Sequence, residues 1–435
     1  MIEAYALIRF YALSGRKTRK GIKCNMTFEE KLQEYARLTV RTCGNVTQGK
    51  YVLLSCPVHA AHFGRMISRK AFEAGAKDVI MLYYDEKFSR IRFLNAALDI
   101  FKSVPEWQAL QRNYYAREGC VSITVLSEDP DIFEGVDDEK LMANAIARKK
   151  AFKEFYDIMD KGGLRWTLVA YPCEKWAMKV FPECSKETAM EKLWDAIFAT
   201  CRLTDTNTSE KWESQDRLLK RRADILNKYA LKELHYKNSL GTDFTLGLAK
   251  GHIWAGGSEV STDDVKFMPN MPTEEIFTMP DRLKAEGIVY ASMPLSYQGT
   301  LIDGFYLRFQ NGEVVDFDAQ KGKNALTRLL DTDEGSRRLG EAALIPHDSP
   351  ISNLGILFYN TLFDENASCH LALGECYATN IRNGVNMSEK ELLDNGGNRS
   401  VNHVDFMIGT KDLQITGTTK EGTKVPIFVN GNFVF

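Results

Sequence analysis

The sequence predicts an α/β N-terminal domain, with a mostly parallel sheet flanked by helices, followed by a β-rich α+β domain. Three observations carry this. Short apolar runs alternate with helix-period stretches through the first half, as parallel strands joined by crossover helices do. Beyond about residue 230 the texture changes to short alternating runs rich in glycine, as hairpins show. The composition is that of a globular chain, 44% hydrophobic and 26% charged over 435 residues, long enough for two or three domains of about 150 residues each.

The elements follow in order. Residues 1–25 carry six basic side chains and one acid, Glu3. Their basic cluster follows an apolar part, the reverse of a secretory signal. Met26 reads as the start of the functional protein, and residues 1–25 as a dispensable extension of unknown role. Thr27-Phe28-Glu29-Glu30 is a T-x-x-E capping box, which satisfies two free N–H groups at a helix start. Leu32, Tyr35, Ala36 and Leu38 then recur at helical spacing. Residues 51–58 read as a buried strand, 60–74 as a helix ended by Gly75, and 78–84 as the next strand. That is one βαβ unit. The pattern recurs with a strand at 121–126, a helix at 138–160, a strand at 166–171 and a helix at 186–200. The polar stretch 204–216 reads as a linker or long loop, with a helix from 216 to 230. The boundary therefore falls between 205 and 235, which divides the chain into domains 26–220 and 221–435.

Composition excludes several functions. Lys plus Arg number 56 and Asp plus Glu 58, without the basic surplus of a nucleic-acid binder. No run reaches the roughly 18 apolar residues of a membrane helix. Nine cysteines are scattered without a C-x-x-C, which speaks against a disulfide framework or a cysteine-type zinc site and for the reducing cytoplasm. The first half lacks G-x-G-x-x-G and G-x-x-x-x-G-K-[ST], so a dinucleotide or a P-loop phosphate has no backbone cradle. His59 and His62 form an H-x-x-H without a nearby carboxylate, which suits capping or surface roles better than a metal.

The chemistry lies in the second half. In VNHVDFMIG the strand period of two puts His403 and Asp405 on one face, with Val404 and Phe406 on the other. An imidazole beside a carboxylate makes half of a metal site, and equally a simple ion pair. His370 opens the strand-like HLALG, and Tyr377 follows seven residues on. Glu341 is embedded in LGEAAL, where a buried charge is costly unless a cation meets it. Glu274 and Glu275 point to opposite faces of a strand-like run, so only one can enter a shared site. Two imidazoles and three or four carboxylates would serve two divalent ions about 3.5–4 Å apart. Their donors suit Zn, Mn, Co or Mg without choosing among them. Aromatic residues from Phe277 to Phe406 crowd the same region, either as ordinary core or as a pocket for a bulky first residue. The loop at His347 is expected near the site.

Longer motifs then decide more than spacing does. MPTEEIFTMPD, RRLGEAALIP, DSPISNLGILFYNTLFDENASCHLALG and NHVDFMIG closely resemble the aminopeptidase T family, the thermophilic-type metallo-aminopeptidases that include aminopeptidases S and II. RWTLVAYPCEKWA and EKLWDAIF resemble the N-terminal half of the same family, so the likeness runs from about Met26 to Phe435. It implies Glu275, Glu341, His370, His403 and Asp405 as ligands of two divalent ions, Zn, Co, Mn or Mg. It implies Tyr377 as the catalytic tyrosine, a homodimer with an enclosed active site, and removal of N-terminal residues from peptides with a free amine. Tyr377 would donate to the developing oxyanion, and Glu341 is the first choice to carry the proton of the attacking water. Another dinuclear amidase or dipeptidase, or a non-catalytic metal or peptide binder, are the competing readings.

Overall fold

The computed structural model describes residues 26–203 and 207–435. The extension 1–25 and the start of the expected linker lie outside the described residues.

The first half is organised on four parallel strands in the spatial order Asp78–Tyr84, Tyr51–Pro57, Val121–Leu126, Arg165–Ala170. The crossover helix Ala61–Glu73 buries Phe63, Met66, Ile67 and Ala71 against this sheet. The helix Phe28–Leu38 starts at the capping box. Glu30 N–H donates to Thr27 Oγ1 at 3.3 Å, and Thr27 N–H donates back to the Glu30 carboxylate at 2.7 Å. The Tyr35 hydroxyl ties this helix to the sheet by donating to the Ala170 carbonyl at 3.0 Å. The helix Lys186–Thr200 buries Leu193, Trp194, Ile197 and Phe198 in the same core.

Several elements differ from the sequence reading. The expected helix 138–160 is two helices, Asp138–Ala151 and Lys153–Asp160, hinged at Phe152. The Phe152 ring turns into a satellite core with Leu53, Phe155 and Leu164. The helices Glu86–Asn95 and Glu106–Arg117 have no counterpart in the apolar periodicity, because most of their large apolar residues, Phe93 apart, face outward. Phe88 is 62% and Trp107 65% exposed. The third difference is the supposed linker, which from Thr208 is already helix (Thr208–Tyr229). Its polar residues work inward: Gln215 donates to Glu274, and Asp216 accepts from Ser258 and Lys266. A helix whose polar groups are consumed by buried partners lacks the apolar stripe that betrays helices in sequence.

The second half carries a nine-stranded sheet and a five-stranded antiparallel sheet. The latter runs His403–Met407, His370–Gly374, Leu339–Leu344, Ile276–Thr278, Ala255–Gly256. One face packs Leu339, Leu344, Leu371, Leu373 and Phe406 into the main core of this half. The other face looks toward the first half. The two halves join where Leu168, on the last parallel strand, bridges to Asn270, five residues before Glu275.

Candidate metal centre

Register builds the site. Ala372 faces Glu341 on one neighbouring strand and Asp405 on the other. His370 lies two residues along the central strand on the same face, and His403 pairs with Gly374. Small residues on the central strand let the flanking side chains lean over it. Between Leu339 and Glu341 the strand bulges by one residue, Gly340. A Cβ at Gly340 would meet the Glu375 carbonyl oxygen at 2.1 Å, so only glycine allows this approach. The bulge turns Leu339 into the core while Glu341 keeps the site face. Glu275 enters from the turn before Ile276–Thr278. There any Cβ at Gly256 would lie 2.4 Å from the Glu275 carbonyl oxygen.

These side chains converge. His370 Nε2 is 3.5 Å from Glu275 Oε2, 3.5 Å from Glu341 Oε1 and 3.8 Å from Asp405 Oδ1. His403 Nε2 is 3.7 Å from Glu341 Oε2 and 3.5 Å from Asp405 Oδ1. All five side chains are buried except His403, which keeps 20% exposure. Glu274 turns the other way, to Arg202 at 2.7 Å and Gln215 at 2.8 Å. The Tyr377 ring packs 4.7 Å from that of His403. His347 lies apart, lining a separate cavity of about 410 Å³. His59 bonds Ser127 Oγ at 2.6 Å, and His62 stands 4.0 Å from Glu29. Of the aromatic residues, Phe277 lines the site cavity and Phe305, Phe363 and Phe406 are core.

The donor set fits a divalent ion. His370 Nδ1 donates to the Glu365 carbonyl at 2.8 Å and His403 Nδ1 to the Glu375 carbonyl at 2.8 Å. Each bond leaves Nε2 turned to the carboxylates, the orientation in which metal-bound histidines are held. Two ligands of one tetrahedral ion, each about 2.0–2.2 Å from it, stand about 3.3–3.6 Å apart, close to the separations here. They are too long for hydrogen bonds. Asp405 Oδ1 is buried and has no hydrogen-bond partner, an orphan that a cation would satisfy.

The titration directions agree with a site short of positive charge. Burial pulls His370 down, yet the facing Glu341, Asp405 and Glu275 outweigh it and hold the imidazole at about 10. His403 stands at about 9, where burial is overcome by Asp405 and Glu341. Burial pushes Glu275 up to about 8. The Tyr377 phenol is pushed well above its usual range by burial and then by Glu341, Asp405 and Glu365. The residue is nevertheless 44% exposed.

One carboxylate of the centre has no signal in the sequence. Glu365 lies among Glu275, Asp405 and Glu341 and is pushed far up by burial and by Glu275. Asp364-Glu365-Asn366 reads as a polar turn. In the fold, Asp364 is buried at the end of the short helix Thr361–Asp364 and accepts the N–H groups of Phe358 and Asn360 in the loop before it. A cavity of about 440 Å³ covers the centre, walled by Met159, Trp166 and Leu168 from the first half and by Phe277 and Tyr377 from the second. Sites between two halves of a chain are a common place for ligands.

Residues 28–433 match the family model described as thermophilic metalloprotease (M29). The chain is 43% identical to aminopeptidase AmpS of Bacillus subtilis over 409 residues, covering 94% of this chain and all of that one. The solved structure of wild-type AmpT from Thermus thermophilus superposes with a TM-score of 0.87 at 37% identity, over 94% of this chain and all of that one. A 2,5-dihydroxypyridine dioxygenase from Pseudomonas putida superposes at 0.52 with 12% identity, over 94% of this chain and 98% of that one. That likeness concerns the fold alone, and fold does not select chemistry.

Proposed function

This chain belongs to the thermophilic metalloprotease family (M29), and we propose that it is a metal-dependent aminopeptidase that removes N-terminal residues from peptides with a water activated by two divalent ions. The observation that supports the number two is Glu341. Its Oε1 faces His370 and its Oε2 faces His403, so one carboxylate spans two imidazoles, each of which would hold its own ion. Glu275 completes the His370 side, and Asp405 Oδ1 stands between both histidines.

Zn, Co, Mn or Mg bound by this set would lower the pKa of a water and polarise the scissile carbonyl. The chain's own groups do the rest. Tyr377, held protonated, donates a hydrogen bond to the oxyanion that forms as the carbonyl is attacked, where a fixed donor is worth about 3–4 kcal/mol. Glu341 takes the proton of the attacking water and passes it to the leaving amine. Each carboxylate oxygen has two lone pairs, so a ligand oxygen can still accept. Residues 26–220 and 221–435 act as two domains that close the site between them.

The same reading takes the protein as a cytoplasmic homodimer. Eight free cysteines and no disulfide among the described residues favour a reducing compartment. No helix among the described residues is long and apolar enough to cross a membrane. Phe88, Ile91, Trp107, Leu110 and Ile146 are each about half exposed or more, and exposed apolar side chains of this size suit burial against a second copy.

The test is hydrolysis of leucine-p-nitroanilide by the protein as purified, after chelation, and after return of each of the four ions. Activity lost on chelation and restored by one ion, with two ions bound per chain, is the expected result. No turnover with any ion on any free-amine substrate, in a protein that stays folded, overturns the reading.

A further inference from the structure

The cavity over the centre has a neighbour of about 360 Å³, and the two share Leu168, Thr361, Glu365 and Asp405. Asp405 belongs to the ligand set. Glu365 does not. Among the described residues it makes no ion pair with either imidazole, while Glu275, Glu341 and Asp405 all do. Its main chain is fixed, because its carbonyl holds His370 Nδ1. Among the described residues its carboxylate takes only a 3.3 Å bond from Asn366 Nδ2. Among the described residues, Glu365 is therefore the one carboxyl group outside the ligand set that lines both cavities.

A carboxylate withdrawn from water is costly unless a cation meets it. Every substrate of an aminopeptidase brings one. A peptide N-terminus is an ammonium group at neutral pH, with a pKa of about 7.7–8.0. The neighbouring cavity has mixed walls, with Leu126, Ile132, Phe133, Leu295 and Met407 beside Glu128, Asp129 and other polar residues. The cavity over the centre holds Tyr377 and the ligand set.

Resting on the aminopeptidase reading, we propose that Glu365 is the anchor for the α-ammonium group of the substrate. With the ammonium on Glu365, the first side chain fills the neighbouring cavity. Its carbonyl then lies over the centre beside Tyr377, and the leaving peptide runs out past Phe277. The anchor also explains exopeptidase action, since an internal peptide bond has no cation to place there. The bond is charge-assisted, the stronger class of hydrogen bond.

The experiment compares wild type with Glu365→Gln and Glu365→Asp, each loaded with the ion that restores activity. Binding of L-leucine and of 4-methylpentanoate, which lacks the amine, is measured by calorimetry. Metal content is measured by mass spectrometry, and leucine-p-nitroanilide kinetics are recorded alongside. Wild type is expected to prefer the amine by about 10- to 100-fold, the range for one hydrogen bond to a charged group. In Glu365→Gln that preference falls to about twofold, 4-methylpentanoate binds unchanged, two ions remain, and KM rises with kcat nearly kept. Glu365→Asp gives an intermediate loss. An unchanged amine preference overturns the inference alone. So does loss of an ion from the variant, which makes Glu365 a ligand, or a fall in kcat at constant KM, which makes it a proton carrier. A wild type that hydrolyses no free-amine substrate overturns the aminopeptidase reading instead.

Discussion

Metal binding at this centre competes with protons, and the competition has a calculable size. With no ion bound, His370 holds its proton to about 10 and His403 to about 9. A protonated Nε2 cannot ligate. At pH 7 both imidazoles are charged, so loading the centre expels about two protons. Glu275, pushed by burial to about 8, adds a third below that pH. The logarithm of the apparent affinity for the ions therefore climbs by two to three per pH unit between about pH 6 and 8. The slope falls to about one between pH 9 and 10 and vanishes above 10. The sign reverses for the metal-free fold. An imidazolium raised in the folded state contributes stability that is fully present below the ordinary value of 6.5. That contribution is lost as pH rises through 9 to 10. Calorimetric zinc titrations at pH 7 in buffers of different ionisation enthalpy count the released protons directly. Release of fewer than one proton per chain would refute the argument, because the histidines would then stand neutral and unpaired with the carboxylates.

Other outcomes follow from the same geometry. Tyr377→Phe keeps two ions and a near-normal KM but lowers kcat by about 10²- to 10³-fold in steady-state assays, as loss of an oxyanion donor does. Glu274→Gln and Glu275→Gln separate two neighbours by face. The first breaks the buried pair with Arg202 and lowers unfolding free energy by about 3–5 kcal/mol in denaturant titrations, with metal content kept. The second reduces metal content by mass spectrometry and leaves the fold intact, and equal metal loss in both contradicts the assignment of faces. Trp107→Glu, at the 65% exposed Trp107, shifts the light-scattering mass from twice 49.3 kDa to the monomer, and an unchanged dimer moves the interface elsewhere.

Local patterns in the chain are legible where one residue type does one job. The capping box at Thr27 and the alternation around Tyr51–Pro57 and Ala61–Glu73 are visible because core packing and helix caps are short-range devices. His403 and Asp405 share a face because strand period is two. Legibility fails where polar residues are used inside or apolar ones outside. Gln215 and Asp216 make the start of Thr208–Tyr229 look like a loop, and the outward Phe88 and Trp107 hide two helices. Convergence of the site is not local at all. Glu341, His370 and Asp405 meet only because Ala372 pairs with Glu341 and Asp405 and a one-residue bulge sits at Gly340. No spacing along the chain encodes that register. Glu365 is silent for a further reason: it follows a short helix, Thr361–Asp364, whose buried last residue bonds back to the loop before it.

The sheet also explains why ion removal tests chemistry and not folding. In small zinc domains the metal supplies the core, and the apo chain unfolds. Here the strands that carry Glu341, His370 and Asp405 are held from their other face. Leu339, Leu344, Leu371, Leu373 and Phe406 belong to a core shared with the nine-stranded sheet. Each such side chain contributes about 1.5–3 kcal/mol on burial, independently of what occupies the site face. Without ions, imidazolium–carboxylate contacts partly balance the charges. The centre is thus carried by a scaffold whose stability lies one residue out of phase with its chemistry. A chelated protein that keeps its fold and loses turnover therefore reports on the centre itself.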